Sequence, residues 1–188
     1  MNNRITVFLD LQGTLGGDGL GDTSNFEFYP FTIEAIKRLN ENGFYAIVIT
    51  NQSHISKGLL TIEQFEKDID KLKSKLSAYG AHFDGVYCCP HSRYENCTCK
   101  KPLPGLVLQA QKDFDIDCSK SFVVGDMGMS DMMLASNIGA KGILVKTGVG
   151  EESLSGYRDT WKEVKPYFIA DNVLDAVNHI IALEINPS

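Results

Sequence analysis

Six short apolar runs, separated by amphipathic stretches, constrain the fold of this chain more than any other feature: Ile5 to Leu9, Tyr45 to Ile49, Phe83 to Tyr87, Phe122 to Val124, Gly142 to Val145 and, more weakly, Tyr167 to Ala170. They are rich in β-branched and aromatic residues and almost uninterrupted by polar ones, the pattern of strands covered on both faces. Between the first two, Phe31 to Asn40 carries Ile33, Ile36 and Leu39 on one stripe and stops at Asn42-Gly43, a helix-ending signal. Thr61 reads as an N-cap that forms a capping box with Gln64, and its helix runs through Phe65, Ile69 and Leu72 to Leu76. Helices are also expected over Gly105 to Phe114, Ser130 to Ile138 and Asn172 to Leu183. Strand and helix alternate throughout, which predicts an α/β fold with an open parallel sheet. Ligands of such sheets sit at the carboxyl ends of the strands, near the point where the strand order reverses.

A chain of 188 residues can bury a core of its own, so one domain over residues 1-188 is expected, with no staple needed for it to fold. Two segments fit neither strand nor helix: Gly16 to Ser24, which contains Gly16, Gly17, Gly19 and Gly21, and residues 88-105, which contain Pro90, Pro102 and Pro104. Long irregular segments in a compact domain tend to be functional loops. The 18 Lys and Arg against 24 Asp and Glu give a net charge of -6, no field for a nucleic acid. An anionic substrate must therefore be gripped locally. The start, MNNRITVFLDLQGT, lacks the basic and long apolar regions of a secretory signal, and no apolar run is long enough to span a bilayer. A cytoplasmic monomer with no membrane or nucleic-acid partner is expected.

The first run ends in Asp10-Leu11-Gln12-Gly13-Thr14. A carboxylate leaving an apolar strand into a glycine-containing turn can act as a nucleophile or bind a hard cation. The second run delivers Thr50-Asn51-Gln52-Ser53, a row of hydroxyl and amide donors, and the fourth delivers Gly125-Asp126 with Asp131 five residues later. Lys100-Lys101-Pro102 leads into the helix before that strand. Carboxylates converging on a cation, neutral donors and a lysine make a site for a phosphoryl group and Mg²⁺.

The ordered set Asp10-x-Gln12-Gly13-Thr14, Thr50, Lys101 and Gly125-Asp126 with Asp131 resembles the four motifs of the haloacid dehalogenase superfamily of phosphohydrolases. The stretches Thr50-Asn-Gln-Ser, Cys89-Pro-His, Cys97-x-Cys99-x-Lys101-Pro102 and Thr147-Gly148 are similar to its subfamily of heptose bisphosphate and histidinol-phosphate phosphatases. The resemblance implies a three-layer Rossmann-like fold without a large cap domain and a phosphatase of small phosphorylated metabolites. It makes Asp10 the nucleophile of an aspartyl-phosphate intermediate, and assigns Mg²⁺ to Asp10, the main-chain carbonyl of Gln12 and Asp126. Thr50, the amide of Asn51 and Lys101 would hold the phosphoryl oxygens. Asp131 would orient Lys101 or a metal-bound water, or would be a surface carboxylate in the first turn of a helix. Heptose bisphosphate is the favoured substrate on Asn25-Phe26-Glu27-Phe28 and Lys101-Pro102-Leu103-Pro104-Gly105, with histidinol phosphate the alternative.

Four of the five cysteines fall between Cys88 and Cys99. Cys89-Pro90-His91 followed by Cys97-Thr98-Cys99 supplies three thiolates and an imidazole from one loop, the ligand set of a closed tetrahedral Zn²⁺ site. Four protein ligands leave no open position, so a structural Zn²⁺ is expected to fold the loop, which would stand over the active site. Cys88 is expected as a small apolar strand residue, and Cys118, His82 and His179 carry no expected chemistry. Lys100 and Lys57 stand where relatives commonly have Arg and, with His54, could face a distal part of the substrate or solvent.

Gln12 departs from the pattern. The superfamily's phosphatases carry an aspartate there that protonates the leaving oxygen and then activates water, and an amide can do neither. Such acid–base catalysis is commonly worth about 10²–10⁴-fold. The chain is therefore expected to be a slow phosphatase, one suited to good leaving groups, one in which His54 replaces the acid, or a relative that binds phosphate without hydrolysing it.

Overall fold

The computed structural model describes residues 4–18 and 23–185. Gly19 and Gly21, and the first three residues of the chain, lie outside the described residues. Six strands, β1 (Thr6–Leu9), β2 (Tyr45–Asn51), β3 (Gly85–Cys89), β4 (Phe122–Gly125), β5 (Lys141–Val145) and β6 (Phe168–Ala170), form one parallel sheet in the order β3-β2-β1-β4-β5-β6. All the expected strands are present. β1 lies at the centre, and the order reverses across it: β2 pairs one edge and β4 the other. That junction is where an open sheet leaves a crevice.

The described residues hold seven α-helices: α1 (Thr32–Glu41), α2 (Ser53–Ser56), α3 (Ile62–Ser77), α4 (Gly105–Asp113), α5 (Met133–Ile138), α6 (Gly150–Leu154) and α7 (Val173–Ile185). Successive side chains of β1 divide between two cores, Val7 and Leu9 joining α1, α3 and α7, and Phe8 joining Leu106, Val107 and Ala110 of α4 and Leu134 of α5. Burial on both faces explains why the strands read as unbroken apolar runs. In α3, Phe65, Ile69, Leu72 and Leu76 are all buried, as the periodicity predicts. In α1 Ile36 and Leu39 are buried with Ala35, while Ile33 sits at the edge. The helix ends at Asn42 and the chain turns through Gly43 at φ 76°, a conformation glycine adopts without penalty.

Three local expectations are corrected. The Thr61 cap is half a capping box: its hydroxyl accepts from the N–H of Gln64, but the Gln64 side chain turns to Asp68 at 2.9 Å. β3 runs on through Cys88 and Cys89 because Asn51 pairs with Cys89, so the irregular loop begins at Pro90. The helix expected from Ser130 is instead a π-helical turn, Gly128–Met132, leading into α5. The wider turn carries Asp131 inward, where its carboxylate accepts from the N–H of Met127 at 3.1 Å. Such turns are frequent at functional sites. The short helices α2 and α6 carry too few residues for any periodicity to announce them.

The chain's one tryptophan, Trp161, packs against this turn, where a Cβ on Gly128 would lie 2.0 Å from its ring. Its indole N–H donates to the carbonyl of Ser153 at 3.0 Å, and the Ser153 hydroxyl donates to the carbonyl of Asp126 at 2.8 Å. No helix among the described residues is long and apolar enough to cross a membrane.

Candidate active site

Three adjacent strands end at one place: Asp10 follows β1, Thr50 closes β2 with Asn51, and Asp126 follows β4. Lys101 reaches the same place from the segment before α4, and its ammonium lies 2.6 Å from Asp10 and 2.7 Å from Asp131. The lysine is only 4% exposed. Burial disfavours its charge, but the two carboxylates outweigh burial and hold its pKa above the ordinary lysine range. Asp131 is 1% exposed, so the surface-carboxylate alternative is excluded.

Ligand oxygens of Asp10, Asp126 and Asp131 lie within 4.8 Å of one another. Burial, only partly opposed by Lys101, raises Asp10 to about 6. Asp126 rises to about 8, first through burial and then through repulsion by Asp10 and Asp131, although it accepts from the N–H of Val149 at 2.8 Å. Three carboxylates around one ammonium leave a local excess of negative charge that a divalent cation would relieve. The backbone leaves room for this packing only where there is glycine. A Cβ on Gly125 would stand 2.2 Å from the Asp131 carboxyl carbon, and one on Gly148 2.1 Å from an Asp126 oxygen.

Asp10 and Asp126 line a cleft of about 810 Å³. Thr50, Gln12, His54, Lys57, Lys100 and Lys101 line it with them, so the structure brings the expected residues into one space. Gln12 lies 7% exposed against Gly17, where a Cβ would come within 2.0 Å of its carboxamide oxygen. Gln12 and His54 also line a second hollow of about 650 Å³ beside residues 24–30. Lys100 is tied to its own loop, its ammonium donating to the carbonyl of His91 at 3.2 Å. Asn51 also lines the cleft, and its side chain is hydrogen-bonded to the main chain of Lys101. Arg93 lines the cleft and was missed in the sequence; its place between Cys89 and Cys99, in a loop expected to overhang the site, was the available signal.

That loop gathers Cys89, His91, Cys97 and Cys99, whose ligand atoms lie within 4.8 Å of one another. Cys89 Sγ stands 3.1 Å from Cys99 Sγ and 3.7 Å from Cys97 Sγ, and His91 Nδ1 is 3.3 Å from Cys99 Sγ. With the usual bond lengths, a tetrahedral Zn²⁺ spaces its ligand atoms about 3.5–3.8 Å apart, close to this arrangement. Burial would raise the Cys97 thiol, but N–H groups of Lys100 and Cys99 outweigh it and bring it down to about 7, while Cys89 is pushed up by burial. Cys88 packs on the opposite face of the sheet, outside the cluster, as expected. His179 stacks on Phe168 with ring centroids 3.7 Å apart.

The fold and this site define a hydrolase of the haloacid dehalogenase type. A model of the HAD-hydrolase-like family matches residues 98–176. D-glycero-beta-D-manno-heptose-1,7-bisphosphate 7-phosphatase of Yersinia pestis is 41% identical over 153 residues, covering 76% of this chain and 80% of its own. The Escherichia coli (strain K12) protein of the same name is 37% identical, covering 76% and 79%. The structure of D,D-heptose 1,7-bisphosphate phosphatase from B. bronchiseptica, complexed with magnesium and phosphate, matches with TM-score 0.85 at 24% identity over 95% of this chain and 98% of that one. The chain belongs to the haloacid dehalogenase superfamily of phosphoric monoester hydrolases, in the subfamily that holds the heptose bisphosphate phosphatases.

Proposed function

We propose that the protein is a Mg²⁺-dependent phosphatase of small phosphorylated metabolites, acting through an aspartyl phosphate on Asp10. The single observation that carries this reading is the ammonium of Lys101 bridging Asp10 and Asp131 at 2.6 and 2.7 Å beside Asp126. Asp10, the main-chain carbonyl of Gln12 and Asp126 would hold Mg²⁺, with Asp131 beside them. When bound, the cation screens the repulsion between a carboxylate nucleophile and an anionic phosphate. An oxygen of Asp10 attacks phosphorus and the bond to the leaving oxygen breaks; water then attacks the same phosphorus, releasing phosphate and restoring Asp10. Lys101, the Thr50 hydroxyl and the main-chain N–H of Asn51 hold the phosphoryl oxygens as their charge shifts.

Gln12 supplies no proton to the leaving oxygen. The mechanism therefore suits a phosphate with a good leaving group, such as an anomeric or acyl phosphate, or draws its proton from His54. A sugar bisphosphate is favoured over histidinol phosphate, because the similar curated proteins are named for heptose bisphosphate and because Lys57, Arg93 and Lys100 line the outer cleft with positive charge. Zn²⁺ held by Cys89, His91, Cys97 and Cys99 would serve to fold the loop. A second reading, a relative that binds phosphate without turning it over, is favoured by Gln12 alone.

Steady-state hydrolysis of a panel of sugar mono- and bisphosphates with Mg²⁺ separates the two. Turnover that vanishes in Asp10→Asn supports the first; no turnover in the parent, with large gain in Gln12→Asp, supports the second.

A further inference from the structure

Asn51 and Lys101 are fifty residues apart in the chain and meet through the asparagine side chain. Asn51 Oδ1 accepts from the main-chain N–H of Lys101 at 3.0 Å, and Asn51 Nδ2 donates to the main-chain carbonyl of Lys101 at 3.2 Å. One carboxamide thus satisfies both main-chain groups of one residue, as a neighbouring strand would. Among common side chains, the match is narrow. Aspartate lacks the donor, serine is too short, and glutamine carries the amide one methylene too far.

We propose that Asn51 is a positioning residue for Lys101, and that its side chain is not a ligand of the substrate. Lysine has a flexible four-carbon stem, so two carboxylates at its tip fix the ammonium only if the root is also fixed. Asn51 provides that root from a rigid frame, since it is the last residue of β2 and pairs in register with Cys89 of β3. The next residue holds the other end of the loop: the N–H of Gln52 donates to the carbonyl of Cys89 at 2.8 Å. Two consecutive residues of the β2 end therefore secure residues 89 and 101, the entrance and exit of the cysteine-bearing segment. Strand alternation also separates the roles of Asn51. With Gln52 donating toward β3, the main-chain N–H of Asn51 turns to the opposite edge, toward the end of β1 and the site. The side chain faces Lys101, and only the main chain is left for a phosphoryl oxygen.

The inference rests on reading Lys101 as the phosphoryl-binding cation, and the test separates the two. Hydrolysis of p-nitrophenyl phosphate with Mg²⁺ is measured for the full chain, for Asn51→Ala, Asn51→Asp and Lys101→Ala, and for the double variant Asn51→Ala/Lys101→Ala, with zinc content and Tm recorded for each. A displaced catalytic group costs on the order of 10²-fold, so Asn51→Ala is expected to lower kcat about 10- to 100-fold with KM changed less than about 2-fold. The double variant is expected to be no slower than Lys101→Ala alone, because the asparagine acts only through the lysine. Fully additive losses, or a raised KM with unchanged kcat, would overturn the proposal. Asn51→Asp keeps the acceptor and loses the donor. It is expected to lose less than the alanine variant, and it carries the same comparison with Lys101→Ala if Asn51→Ala fails to fold. A Lys101→Ala protein as fast as the parent would overturn the reading of the site itself. An impaired Lys101→Ala beside an unimpaired Asn51→Ala would overturn only the role given to Asn51.

Discussion

The two clusters of potential ligands in this protein are built in opposite ways. The carboxylate cluster draws Asp10, Lys101, Asp126 and Asp131 from distant parts of the chain and sets them on a frame of three paired strands. Its members already have partners, and their geometry is a property of the fold. The Cys/His cluster comes from eleven consecutive residues, the last of β3 and the irregular segment after it, and its four side chains meet one another while its cysteines also pack against the core beside α4. Sulfur atoms 3.1 Å apart offer each other little in the absence of a shared cation. The first cluster is thus organised by the sheet; the second, drawn from one short stretch of chain, is the one that a bound metal would do more to organise.

Four perturbations test this contrast, ordered by expected effect. Asp10→Asn should lower turnover by about 10⁴-fold or more, since it removes the attacking group, yet leave zinc content and Tm near those of the parent. A zinc content that falls with it would mean that the clusters are not independent. Gln12→Asp should raise turnover of alkyl phosphates by about 10²–10⁴-fold and of p-nitrophenyl phosphate far less, because a phenolate departs without a proton. Equal gains on both substrates would show that proton transfer is not what Gln12 removes.

Cys99→Ser should lose zinc and lower Tm, and slow turnover by about 10- to 100-fold, as Lys101 lies two residues beyond the altered ligand. If zinc is lost with no change in turnover, the loop does not support the lysine.

The smallest effect is electrostatic. Asp10 and Asp126 are raised in the folded protein to about 6 and about 8, so the metal-free fold binds more protons than the unfolded chain across that window. Its stability should fall as pH rises from 6 to 8. Mg²⁺ displaces those protons, so its stabilising shift in Tm should be larger at pH 8 than at pH 6. A shift independent of pH would place the ion elsewhere.

The sheet was legible because its strands are covered on both faces, leaving unbroken apolar runs, and the residues at their carboxyl ends followed from the topology. Asp10, Thr50 and Asp126 could be located in that way, while Lys101, on no strand end, was located by the adjacent pair Lys100-Lys101 and the motif resemblance. The Cys/His set was legible from residue type and spacing alone. The inward position of Asp131 was left open, because a π turn has no periodicity to distinguish it from the first turn of a helix. The hold of the Asn51 side chain on Lys101 was not legible, since nothing local indicates a partner fifty residues away. Arg93 was overlooked because one arginine in an irregular segment looks like any solvated charge. In each case the missing information was tertiary.

Trp161 gives the protein a built-in optical probe. As the chain's one indole, seated on Gly128 two residues beyond Asp126 and linked to the Asp126 carbonyl through Ser153, it lies where a change in the carboxylate cluster should alter its emission. Titrating Mg²⁺ while following tryptophan fluorescence would report occupancy of that site without a substrate, a label or turnover.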